Sequence, residues 1–160
     1  MDFNKKIGGG KMSLLALCLA GGALLMAALY LFMFLGEFWF ASADLGSIGT
    51  LRGGAIGNEL IFADDPVGGL LAAWILALVV VVLLIAALVL NFLKIDLPDI
   101  ALPACFALNG LILLVVGILA FCTAAFVGGG GLGVAGVFAG IFGILGCGCS
   151  MGAAFFVFKK

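Results

Sequence analysis

The sequence contains no histidine and few charged residues, and each shortage excludes a class of site. Histidine is the commonest general base and a frequent zinc ligand, so its absence argues against hydrolytic catalysis and against a zinc centre. Charged residues make up only 9% of the chain, and none lies between Asp99 and Lys159. Ion-coupled transporters carry acidic or basic residues within their spans. Here every charge falls at a span end or in a loop, which argues against that class.

Long apolar runs take the place of these polar residues. Hydrophobic residues make up 66% of the chain, and the mean hydropathy is +1.45. A transmembrane helix needs about 20 apolar residues, and four stretches reach that length. The sequence therefore predicts an all-α integral membrane protein, a single domain over 1–160 built as a four-transmembrane-helix bundle. Its spans are expected near 12–36, 67–92, 100–127 and 132–158.

The first apolar run is preceded by lysines, as a signal peptide would be. Its length of about 25 residues exceeds the roughly 7–15 of a signal-peptide hydrophobic region. It ends on the acidic and aromatic residues 37–40, with no small-residue cleavage site. We therefore expect the first span to be retained in the membrane.

The basic residues give the expected orientation, because they concentrate on the cytoplasmic side of membrane proteins. Only Arg52 falls in the loop between the first two spans, 37–66. The other basic residues all fall on the opposite side of a four-span chain: Lys5, Lys6, Lys11, Lys94, Lys159 and Lys160. Both termini are therefore predicted to be cytoplasmic, loop 37–66 to be extracellular, and the protein to be a multi-pass protein of the plasma membrane.

The 37–66 loop is the candidate partner-facing surface. It is rich in glycine, and its pattern is compatible with a short interfacial helix or with a pair of short strands. A dip into the membrane is a third alternative, which needs protein around it because unpaired backbone is costly in lipid. The Asp64–Asp65 pair precedes Pro66 and is expected to cap the second span, since acidic side chains favour helix N-termini. The charged residues that would present an acidic docking surface are Glu37, Asp44, Arg52, Glu59, Asp64 and Asp65.

Small residues recur at helical spacing in two of the spans. In lipid, small side chains let helix backbones approach closely, and this contact drives helix association. One strip, of the kind called a glycine zipper, is expected to pack inside the bundle, and the other could face a neighbouring chain. The strip of the fourth span is Gly129, Gly133, Gly136, Gly140, Gly143, Cys147, Ser150 and Ala154. The strip of the first span is Ser13, Ala16, Ala20, Ala23 and Ala27.

Two further features inside the spans are expected to serve packing. Asn109 is the strongly polar side chain placed well inside a span, and a buried amide can bond across helices for roughly 0.6–2 kcal/mol. Cys147 and Cys149 lie two residues apart, so on a helix they point about 200° away from each other. They cannot both bind one ion without distortion, so we predict no metal site and no cofactor.

The plan of four spans with a large first outer loop and a tiny second one is similar to that of claudin-like and other tetraspan proteins. The similarity is one of shape alone, because the outer loop lacks a pair of cysteines. It assigns no family.

These features together predict a non-enzymatic tetraspan protein that acts as a structural or assembly subunit in the lipid bilayer. Its partners would be copies of itself or other membrane-protein subunits. Nucleic acid is not an expected partner, because the lysines are scattered. Two alternatives stay open: a channel or pore subunit formed by homo-oligomerisation, and an accessory subunit of a membrane transporter complex.

Overall fold

A computed structural model describes residues 12–44, 50–93 and 98–159. Four helices in these ranges are long and apolar enough to cross a membrane, and they pack together, which confirms the expected four-helix bundle. Five of the lysines that set the predicted orientation, all except Lys159, lie outside the described residues. The elements in chain order are α1 Leu14–Met33, β1 Glu37–Asp44, β2 Thr50–Ile56, α2 Gly57–Ile61, α3 Gly68–Phe92, α4 Ala101–Phe121, α5 Thr123–Phe126, β3 Gly131–Leu132 and α6 Val134–Phe158.

The chain departs from the all-α prediction at one end of the bundle. There the strands form an antiparallel sheet in the order β2-β1-β3, with Phe40 opposite both Gly54 and Gly131. We call β1, β2, α2 and β3 the cap. Aromatic residues favour strands, and β1 carries three of them in a row. The 37–66 loop therefore contains two of the three structures left open above, since strands and a short helix follow one another in it.

The four long helices form a ring in which each packs mainly against two neighbours. α6 packs against α4 and α1, and α3 packs against the same two helices on the other side. α6 runs antiparallel to α4, because Gly143 lies beside Gly117 and Met151 beside Gly110. It also runs antiparallel to α1, because Gly146 lies beside Met26 and Gly152 beside Leu19. Each of these four helices therefore runs antiparallel to its two neighbours in the ring.

The contact between α4 and α6 has no room for a side chain on either backbone. A Cβ atom at Gly143 would lie 2.6 Å from Gly117 Cα and 2.9 Å from Leu113 O. A Cβ atom at Gly117 would lie 3.0 Å from Gly140 O. The obstructing atoms belong to backbone, which cannot turn aside as a flexible side chain can. Glycine is therefore required at this crossing.

An aromatic column carries the core from the bundle into the cap. Tyr30 at the end of α1, Phe34 in the turn and Phe38 in β1 are each at most 1% exposed. The ring centroids of Tyr30 and Phe34 are 5.6 Å apart, and those of Phe34 and Phe38 are 4.5 Å apart. Ile61 of α2 belongs to the same cluster. The cap is thereby packed onto the bundle through large buried side chains.

We expect Gly143→Ala to destabilise the bundle by about 1–3 kcal/mol or more, the usual cost of overpacking a filled core. The matched control is Gly148→Ala in the same helix, where a Cβ atom would meet nothing within 4 Å. That control should leave stability unchanged or raise it by about 0.5–1 kcal/mol, since alanine is favoured over glycine in helices. Unfolding of both variants in mild detergent, followed by circular dichroism, measures the difference. Equal stability of the two variants would contradict the crossing described here.

Candidate functional site: the helix seams and the cap

The small residues of the fourth span lie in three different environments. Gly136, Gly140, Gly143, Ser150 and Ala154 are buried in α6, whereas Cys147 is half-buried. Two residues of the predicted strip precede the helix, which begins only at Val134: Gly133 is its N-cap, and Gly129 lies in an exposed turn. The prediction that the strip begins at Gly129 on the helix is wrong, because Gly128, Gly129 and Gly130 have positive φ angles that are not helical.

The small residues of the first span are also inside the molecule. Ala16, Ala20, Ala23 and Ala27 are each 0% exposed. Ser13 instead caps α1, accepting a hydrogen bond from Ala16 N through its Oγ at 3.2 Å. The chain's own helices cover the buried members of both strips, so neither strip is left to face a neighbouring molecule, contrary to one of the expectations above.

The glycine turn before β3 and α6 is hydrogen-bonded to a tryptophan of the cap. Gly128, Gly129 and Gly130 have φ values of 86°, 137° and 87°, a region that side chains disfavour. Trp39 Nε1 of β1 donates a hydrogen bond to Gly129 O. A Cβ atom at Gly130 would lie 2.6 Å from the same Nε1 atom. Gly129 is therefore part of the joint between the turn and the cap, and not of a helix contact.

Polar groups inside the bundle make few bonds between helices. Ser150 Oγ of α6 donates to Phe106 O of α4 at 2.7 Å, and Tyr30 OH of α1 lies 3.4 Å from Val116 O of α4. Asn109 does not bond across helices: its Nδ2 donates to Cys105 Sγ, four residues earlier in α4, at 3.6 Å. Its Oδ1 atom is buried with no hydrogen-bond partner. Ser150 thus takes the bridging role predicted for Asn109.

Sequence reasoning missed a second buried amide, at the end of the bundle opposite the cap. Asn91, near the end of α3, is 7% exposed, and its Oδ1 accepts a hydrogen bond from Met12 N at 3.3 Å. Met12 precedes α1, whose first backbone N–H groups have no partner within the helix. The sequence did indicate this residue, because Asn91 is the polar side chain that ends a long apolar run.

The charges of the cap are partly engaged with one another. Arg52 Nη2 lies 2.6 Å from Glu37 Oε1, and its guanidinium lies 4.3 Å from the ring centroid of Phe40. Glu59 Oε2 accepts a hydrogen bond from Ile56 N at the start of α2. Such exposed pairs contribute little to stability, about 0–1 kcal/mol. Arg52 therefore offsets the charge of Glu37, whereas Glu59 accepts a bond from a neutral backbone group and keeps its negative charge.

The remaining acidic residues of the loop have different surroundings. Asp64 and Asp65 are exposed, and the prediction that they cap the second span is wrong. The N-cap of α3 is Val67, which makes no side-chain capping bond. Pro66 separates the acidic pair from the helix. Asp44 ends β1, and its side chain lies outside what the structure describes.

No metal-binding cluster occurs among residues 12–44, 50–93 and 98–159, since no three of their histidine, cysteine or acidic side chains lie together. Cys147 and Cys149 are both half-buried in α6, and Cys149 lies beside Gly22 of α1. Comparison with known proteins gives no relative: no family model, no curated protein and no solved structure matches this chain.

We expect Asn109→Leu to leave stability unchanged or to raise it by about 1 kcal/mol, because the substitution removes a buried oxygen that has no partner. Ser150→Ala is the matched control, since it removes a bond between two helices and should cost about 0.6 kcal/mol. Unfolding in detergent micelles measures both effects. Strong destabilisation by Asn109→Leu would show that the amide has a bonding role in the bundle.

Proposed function

We propose that this multi-pass membrane protein is a non-enzymatic structural or assembly subunit that associates with copies of itself through its lipid-facing helix surface. Lipid tails and apolar side chains are equally hydrophobic, so helices associate in membranes through close backbone contact. The buried glycines already serve contacts within the chain. The proposal therefore depends on glycines that the fold of one molecule does not use.

The observation that carries the proposal is a pair of exposed glycines on neighbouring helices. Gly21 of α1 and Gly148 of α6 are exposed, and a Cβ atom at either would meet nothing within 4 Å. They lie at the same level of the bundle, because a Cβ atom at Gly22 would be 3.5 Å from Cys149 Sγ. Glycine in a helix costs roughly 0.5–1 kcal/mol relative to alanine. No contact within the described chain offsets that cost. Close contact with a second helix at this level would offset it.

The cap supplies a second surface in this proposal. Glu59, Asp64 and Asp65 are exposed on the segment between β2 and α3. With the cap outside the cell, as the distribution of basic residues predicts, these carboxylates would face extracellular partners. We infer that the helix surface gives association in the plane of the membrane, and that the cap determines which partner is accepted.

A pore within one molecule finds less support in the described part of the bundle. Its buried polar residues are Asn91, Asn109, Thr123 and Ser150. Three of them bond to backbone atoms, through Met12 N, Ala120 O and Phe106 O. These bonds argue against a polar path inside one molecule. A pore formed between copies of the chain stays the alternative to the assembly role, which we prefer because of the exposed glycines.

We expect the double variant Gly21→Leu, Gly148→Leu to keep its fold and lose self-association, because the new side chains project into space that is empty in the single molecule. Ala104→Leu, at an exposed position of α4, is the control and should associate normally. Single-molecule photobleaching of labelled protein in lipid vesicles counts the subunits, and circular dichroism checks the fold. Unchanged subunit counts in the double variant would reject this surface.

The predicted orientation can be tested in intact cells. An epitope inserted within residues 45–49, between β1 and β2, should be accessible to antibody from outside. The same epitope inserted within 94–97, between α3 and α4, should be accessible only after the cells are permeabilised. The reverse result would contradict the orientation expected from the lysines.

A further inference from the structure

The loop between α2 and α3 places a phenylalanine outside the bundle. Residues 62–66 are all exposed, and Phe62 is 64% exposed. The loop is held at both ends by backbone bonds, from Phe62 N to Asn58 O at 3.0 Å and from Val67 N to Leu60 O at 2.9 Å. Both ends of the loop are thereby held to the backbone of α2.

Phe62 turns back along α3 and meets a tryptophan of that helix. Its ring centroid lies 5.4 Å from that of Trp74, with the two rings at 80°. Trp74 is six residues into α3, which corresponds to about 9 Å along the helix axis. Phe62 precedes the helix by six residues, yet its ring reaches the level of the second turn.

The length of α3 places this aromatic pair near the membrane surface. The helix has 25 residues, which gives about 37 Å at the usual rise, against about 30 Å for the hydrocarbon core of a bilayer. α3 is therefore long enough for its ends to reach the boundary of the hydrocarbon even at the usual tilt of about 20°. Trp74 near one end then lies close to the boundary between acyl chains and headgroups, where tryptophan is enriched in membrane proteins.

We propose that Phe62 and Trp74 form an interfacial anchor that holds the cap against the headgroup layer of the bilayer. The apolar ring of Phe62 enters the boundary region, and Asp64 and Asp65 stay in the water above it. This inference does not depend on self-association, because the anchor contacts lipid and not a second chain.

The charges next to the anchor indicate which headgroups it accepts. Two carboxylates lie within three residues of Phe62, and the basic residue of the 37–66 loop, Arg52, is paired with Glu37. Anionic lipids attract basic segments, and they would repel these carboxylates. The anchor is therefore suited to a layer of zwitterionic lipid such as phosphatidylcholine.

The test places a fluorine probe on the ring itself. Trifluoromethylphenylalanine is incorporated at residue 62 of the full chain, which is then reconstituted into phosphatidylcholine vesicles. Fluorine relaxation is measured with dissolved oxygen, which concentrates in lipid, and with a water-soluble nickel chelate. Phe138, exposed in the second turn of α6, is the lipid-facing control. Ala43, exposed in β1 of the cap, receives the same probe as the control outside the membrane.

We expect the ratio of the oxygen effect to the chelate effect at residue 62 to be several-fold higher than at residue 43 and to approach that at residue 138. A ratio at residue 62 equal to that at residue 43 would overturn the anchor, since the ring would then stand in water and need a protein partner to cover it. In vesicles made half of phosphatidylglycerol the ratio at residue 62 should fall. With Asp64→Asn and Asp65→Asn that fall should disappear, and a fall that persists would overturn the headgroup preference.

Discussion

The close approach of α6 to α4 is the constraint on which the rest of the bundle depends. At Gly117 and Gly143 the two backbones touch, and backbone atoms occupy the space that side chains would need. In a membrane this contact cannot be driven by the exclusion of water, so it relies on complementary shape and van der Waals contact. The opposite side of α6 meets α1 through Gly22 and Gly152. One helix thus brings two others together.

The cap follows from the way α1 ends. The aromatic column from Tyr30 to Phe38 continues the core past the last turn of α1 and fixes where β1 begins. The turn of positive-φ glycines before α6 then brings Gly131 and Leu132 beside β1, where they add a third strand. The sheet therefore joins two connections that are distant in sequence, the one between α1 and α3 and the one between α4 and α6.

The two proposed contacts use different surfaces of the molecule. Exposed glycines on α1 and α6 leave room for another helix at one level of the bundle, whereas Phe62 and Trp74 form the proposed anchor near the cap. In these proposals the fold offers a contact in the plane of the membrane and a contact with its surface. These contacts use separate residues, so each can be altered without the other.

The number of long helices, their approximate bounds and their apolar character were determined by the sequence itself, because length and hydropathy alone decide whether a helix can span a bilayer. The strands were visible only as an open alternative, since pairing Phe40 with Gly54 and Gly131 depends on segments far apart in the chain. The tertiary structure also decided which small residues are buried. Gly143 and Gly148 belong to the same apolar helix and differ only in what lies opposite. Periodicity gives the face of a helix, but only the neighbouring helices determine whether that face meets protein or lipid.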